Sequence, residues 1–164
     1  MQKILTIAQI AWLDVIRRKD VYVLLVLMGA LLAAIVSLDV FGLGGVVRYV
    51  VDVGLLMAWI FGWILAVTVA ARQLPGEESR GTVYALLAKP VKRGQVLAGK
   101  WLGAWTVVTL ATLVFYVLVV AVATAQGGRL KPAVVLQGFV LHAAALGVMV
   151  ALGLLLSTRT NADA

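Results

Sequence analysis

Residues 101–125 read WLGAWTVVTLATLVFYVLVVAVATA, from Trp101 to Ala125, with no charged side chain and with threonines at 106, 109, 112 and 124. A bilayer hydrocarbon core about 30 Å thick is crossed by about 20 apolar residues in helix, and this run is long enough. Its many valines raise the alternative of a buried strand. Strands are usually only about 3–10 residues long, and outer-membrane strands alternate polar with apolar side chains. The helical reading therefore wins. Working outward, three further runs meet the same test: 133–156, which holds Gln137 and His142; 53–71, whose one hydroxyl-bearing residue is Thr68; and 21–38. The predicted fold is all-α, a polytopic bundle of four transmembrane helices (21–38, 53–71, 101–125, 133–156) in a single membrane domain over 1–164.

Composition agrees. Of 164 residues, 63% are hydrophobic and 13% charged, against about 45–50% and about 25% in soluble domains. Such a chain cannot clothe a soluble core in polar surface. Disordered, collagen-like and ordinary soluble-enzyme classes are excluded. With no cysteine and one histidine, disulfides, thiol nucleophiles, thiolate metal sites and a multi-histidine metal site within one chain are excluded too.

The formal net charge of +7 is distributed unevenly. Eleven of the basic residues precede the first run, join the second to the third, or follow the fourth: Lys3, Arg17, Arg18, Lys19, Arg72, Arg80, Lys89, Lys92, Arg93, Lys100 and Arg159. Only Arg48, Arg129 and Lys131 fall on the other side. Excess Lys and Arg mark the cytoplasmic face, so both termini and the central loop are expected in the cytoplasm of a cell bounded by a cytoplasmic (inner) membrane. Orientation accounts for these charges better than nucleic-acid binding does.

The segments between the runs add detail. Residues 2–19 read as an interfacial amphipathic helix, with Ile4, Ile7, Ala8, Ala11 and Val15 at three- and four-residue spacing and Trp12 suited to the headgroup level. A cleaved signal peptide is the rival reading, but the apolar run 21–38 is longer than the usual stretch of about 7–15 residues, and the basic cluster Arg17-Arg18-Lys19 comes late, behind an amphipathic stretch. In the central loop, 72–100, Leu74-Pro75-Gly76 opens a short helix, Glu77 and Glu78 suit its positive N-terminal end, and Pro90 ends it. Val83, Leu86 and Leu87 then share one apolar face. Amphipathicity leaves open whether that face lies on the membrane, packs under the bundle or docks on a partner. The outer loops are short glycine turns, and Arg48 with Asp52 reads as an exposed i, i+4 pair that solvates the interface.

Within the runs, small residues recur every fourth position, as in Gly62/Ala66, Gly99/Gly103 and Ala143/Gly147/Ala151, a spacing that lets helices approach closely. His142 and Gln137 are candidates for a translocation path, because ionisable or polar groups inside a membrane are costly. A neutral histidine hydrogen-bonded to a neighbouring helix is the plainer reading. Gly94-Gln95-Val96-Leu97-Ala98-Gly99-Lys100-Trp101 nearly matches a phosphate-binding loop, but Trp101 stands where a hydroxyl should hold magnesium, and no strand precedes it. No catalytic constellation is present: Glu77 and Glu78 suit a helix start better than an acid–base pair.

The run from Pro75 to Lys100 resembles the cytoplasmic loop of type-2 ABC (ATP-binding cassette) transporter permeases. Their pattern is roughly E-x-x-x-G-T-[hydrophobic]-x-x-L-L-x-x-P-[V/I]-x-R, followed by a lysine, and Glu77, Gly81, Thr82, Leu86, Leu87, Pro90, Arg93 and Lys100 fall on it. The resemblance implies a membrane-spanning permease subunit of an exporter, not itself an enzyme. It implies no cofactor in this chain, ATP being bound by a separate ATPase subunit. It further implies that Glu77, Gly81, Thr82, Val83, Leu86, Leu87, Pro90, Arg93 and Lys100 form a coupling-type contact with that ATPase. A second permease subunit, in a homo- or heterodimer, and the lipid bilayer complete the implied partners. Family members usually carry six spans, so the chain is expected to be incomplete at its C-terminus. A non-transporting membrane scaffold or assembly protein is the alternative, and the ATPase partner separates the two.

Overall fold

The structure is a computed structural model that describes residues 19–39, 45–72 and 93–160. Four helices account for nearly all of these: α1 (Lys19–Asp39), α2 (Val46–Arg72), α3 (Arg93–Ala125) and α4 (Pro132–Thr160). The described residues contain no strand. The all-helical bundle is therefore as expected. Of the expected interfacial helix (2–19) and central loop (72–100), residues 2–18 and 73–92 lie outside the described residues, and Lys19 is the first residue of α1.

Among the described residues, three stretches are long and apolar enough to cross a membrane: Val47–Ala71, Val96–Ala125 and Pro132–Ser157. In α1 the described apolar stretch is Tyr22–Ser37. The helices overrun the apolar runs. α2 begins at Val46 and carries Arg48 and Asp52 on its exposed first turns, their side chains 3.5 Å apart. α3 begins at Arg93, so Gly94 to Lys100 is helix. A phosphate-binding loop needs free backbone N–H groups wrapping an anion; here the segment is committed to helical geometry, which agrees with rejecting the near-match.

Short connections set the antiparallel order. α3 ends where Gly127, at φ +81°, turns left-handed. The Gly128 N–H then donates to the Ala123 carbonyl and the Gly127 N–H to the Thr124 carbonyl. This pair of bonds is a Schellman cap, and its left-handed residue favours glycine. Four residues later Pro132 opens α4, where its missing N–H costs nothing.

The core runs along the centre of the bundle. α2 contributes Ala58, Phe61, Leu65, Ala66 and Val69 to it; α3 contributes Val108, Phe115 and Val119; α4 contributes Leu146, Val150 and Leu154. Phe61 and Phe115 meet edge to face, with centroids 6.0 Å apart. The outer surface is apolar as well, with Val26, Trp63, Val117, Leu136, Leu141, Val148 and Leu156 exposed. Helices that are apolar all round are at home in hydrocarbon. In water this surface would be a continuous adhesive patch.

Candidate functional site

The nine residues implied as a coupling contact divide at the edge of the described residues. Glu77, Gly81, Thr82, Val83, Leu86, Leu87 and Pro90 lie outside them. Arg93 is the first residue of α3, so the loop re-enters the bundle there. Lys100, two turns further on, is 4% exposed. Its stem is thus packed in the bundle rather than held out at a surface. The other root of the loop is Arg72, at the end of α2. α4 reaches the same end of the bundle. Gly153 is so close to α2 that an added Cβ would come within 2.6 Å of the Ala70 Cβ, and the Ser157 hydroxyl lies 3.5 Å from the Ala71 carbonyl.

Just inside this end, α3 and α4 are held in register by two tryptophans that the sequence reading did not single out. Trp101 and Trp105 stand one turn apart, and their indoles stack nearly parallel, with centroids 5.5 Å apart. The Trp101 Nε1–H donates to the Gly147 carbonyl at 2.9 Å, and the Trp105 Nε1–H to the Ala143 carbonyl at 2.8 Å. The acceptors are also one turn apart and taken in reverse order, as antiparallel helices require. The small residues of α4 therefore make room for indole rings. At Gly147 a Cβ would meet the Trp105 Nε1 at 3.2 Å. The signal was a Trp-x-x-x-Trp spacing facing an Ala-x-x-x-Gly spacing, which neither run reveals alone. An open apolar groove of about 370 Å³ lies beside the pair, lined by Trp101, Trp105, Ala144, Gly147, Val148 and Leu152 among others. It can take hydrocarbon, and it offers no chemistry.

Replacing Trp105 by Phe keeps an aromatic ring and removes the donor. Polar contacts between membrane helices average about 0.6 kcal/mol and reach about 1.7 kcal/mol. Trp105→Phe should lower stability within that range in a detergent-unfolding titration. Trp101→Phe combined with it should cost less than the sum of the two, because the indoles also stack on each other.

The two path candidates part company. His142 is fully buried, whereas Gln137 is exposed on the outer surface. Five residues along a helix turn it by about 140°, so one face cannot present both. The expected hydrogen bond from His142 to a neighbouring helix is absent, and neither ring nitrogen has a partner. The ring instead stacks on Trp59 of α2, with centroids 4.4 Å apart and 10° between planes, and lies 5.9 Å from the Tyr116 ring of α3. Stacking satisfies the ring faces and leaves the nitrogens unanswered. Beside it, the Thr112 hydroxyl is fully buried and also unpartnered. Among the described residues, no three of His, Asp or Glu are grouped so as to hold a metal ion.

The geometry is that of an apolar helix bundle in which α2 ends and α3 begins at the same end. A family model described as ABC-2 family transporter protein matches residues 5–163. A stretch of 51 residues is 43% identical to the probable ABC transporter permease protein NosY of Pseudomonas aeruginosa, covering 31% of this chain and 18% of that protein. The matched stretch is thus less than a fifth of that relative's length.

Proposed function

We propose, from the premise that this chain belongs to the ABC-2 family of transporter proteins, that it forms membrane-spanning helices of an exporter powered by a separate ATPase subunit. The family match over residues 5–163 carries the reading, because it runs through the central loop where the sequence pattern is most specific. Two physical features support it. The described helices include three long and apolar enough to cross a membrane, as a permease requires. The segment that comes nearest to a nucleotide-binding loop is helical, which fits a reading in which ATP is bound by a separate subunit. In this reading the ATPase docks on the loop between α2 and α3. Leu86 and Leu87 fill an apolar groove on it, Glu77 and Arg93 make polar contacts, and Gly81 lets the backbones approach. Lys100 anchors the loop to the bundle, and a second permease subunit completes the transporter.

The test is purification of the tagged chain from its native membranes in mild detergent. An ABC ATPase should co-purify and hydrolyse ATP. Recovery of membrane proteins without any nucleotide-binding subunit would favour the scaffold reading.

The proposed orientation places the loop and both termini in the cytoplasm. The chain has no cysteine, so single cysteines can be introduced cleanly. Arg129, exposed between α3 and α4, is a suitable outer probe. Gly128 is not, because a Cβ there would lie 2.7 Å from the Ala123 carbonyl oxygen. In intact cells Arg129→Cys should react with an impermeant maleimide, and Thr82→Cys should react only after the membrane is opened. The reverse labelling would invert the topology.

A further inference from the structure

Four hydroxyls on these helices follow one rule. Ser37, Thr68, Thr106 and Thr124 each donate to the carbonyl four residues back, on Ala33, Ile64, Leu102 and Val120, at 2.6–2.8 Å. This back-bond is how a lone hydroxyl is satisfied in a helix surrounded by hydrocarbon. Thr109 and Thr112 depart from the rule: neither Oγ1 has a partner, and Thr112 is 0% exposed. His142, also 0% exposed, has both nitrogens unpartnered. A buried polar group left unpaired keeps its full desolvation cost, and the interior of a bilayer supplies no bulk water to relieve it.

Two of the unpaired atoms converge. His142 Nε2 and Thr112 Oγ1 lie 3.0 Å and 3.1 Å from the point where a Cβ on Gly62 would stand. Three helices thus meet there: α2 contributes a glycine, α3 a hydroxyl and α4 an imidazole edge. The two distances hold the Nε2–Oγ1 separation to at most about 6 Å, the reach of two hydrogen bonds end to end. The two atoms make no direct bond to each other. The ring plane is held against Trp59, which keeps a ring edge toward Gly62.

We propose that a water molecule bound between α2, α3 and α4 beside Gly62 bridges His142 Nε2 and Thr112 Oγ1, making a hydrated node within the apolar bundle. Two polar partners meet the minimum that a buried water requires. Gly62 is then the residue that keeps the node open, since any side chain there would enter the space both atoms face. The node stands whether or not the chain acts in transport.

The single histidine makes the test direct. With 13C,15N-histidine in the full chain in lipid nanodiscs, the only labelled imidazole signals are those of His142. A water-selective cross-relaxation peak should appear at the ring proton on Cε1, which lies 3.2 Å from the same Gly62 point. The peak should be lost in Thr112→Val, kept in Thr112→Ser, and lost in Gly62→Ala. The upfield ring-current shift imposed by Trp59 should persist in Thr112→Val, showing that the bundle is intact. Two results would overturn the proposal. One is a stacked imidazole with no water contact in the unmodified chain, which would mean a dry contact or a direct bond to Thr112. The other is a water contact unchanged by Thr112→Val.

Discussion

Gly153→Leu should dismantle the contact between α2 and α4 and lower the stability of the bundle by about 3 kcal/mol, the upper part of the usual range for overpacking. The reason is local. Even a bare Cβ at 153 would fall 2.6 Å from the Cβ of Ala70, an atom with no rotamer through which to yield. The helices would have to separate, and Leu154 and Val69, both buried in the shared core, would lose contacts with them. Packing is what holds membrane helices together, because lipid tails are as apolar as leucine. The same substitution at Gly138, on the same helix but with nothing within 4 Å of its Cβ position, should shift stability by no more than about 0.5 kcal/mol. A detergent-unfolding titration that finds the two variants equal would contradict the packing described for this end of the bundle.

Leu86→Asp should cut association with the proposed ATPase by about thirtyfold or more, the loss typical of an apolar anchor worth about 2 kcal/mol. The substitution removes a side chain meant to be buried in the partner's groove and puts a charge in its place, which is costly to desolvate. Arg129→Ala, at the opposite end of the bundle, should leave the association unchanged. Co-purification of the ATPase with each variant, normalised to the permease recovered, reads the effect. Equal recovery with Leu86→Asp would remove the coupling role from this face and leave it to the membrane surface or the underside of the bundle.

The helices were legible because the quantity that defines them, an unbroken apolar length, is written along the chain. Their ends were less so. Hydropathy marks the hydrocarbon, whereas a helix stops where its backbone bonds stop. α2 therefore starts at Val46 with Arg48 and Asp52 inside it, and α3 starts at Arg93 rather than Trp101. Small-residue spacing correctly flagged Gly62 and Gly147 as places of close approach, but it could not say what approaches. At Gly147 it is an indole, and at Gly62 an imidazole and a hydroxyl. Such pairings between helices depend on register and rotation, and a single chain read in order encodes neither. His142 stood out in the sequence because a titratable side chain inside an apolar run is conspicuous. Thr112, its partner in the node, looked like the other threonines until the structure showed that Thr68, Thr106 and Thr124 bond to backbone carbonyls whereas Thr112, like Thr109, does not. The loop motif was legible for a different reason: it is a pattern of residue types, independent of geometry.

The central claim is that an ATPase engages the loop between α2 and α3. A photoreactive amino acid at position 86, activated in native membranes and followed by mass spectrometry of the crosslinked product, tests it most directly. The account predicts capture of an ATP-binding-cassette ATPase. Capture of lipid alone, or of a protein without a nucleotide-binding fold, would contradict it.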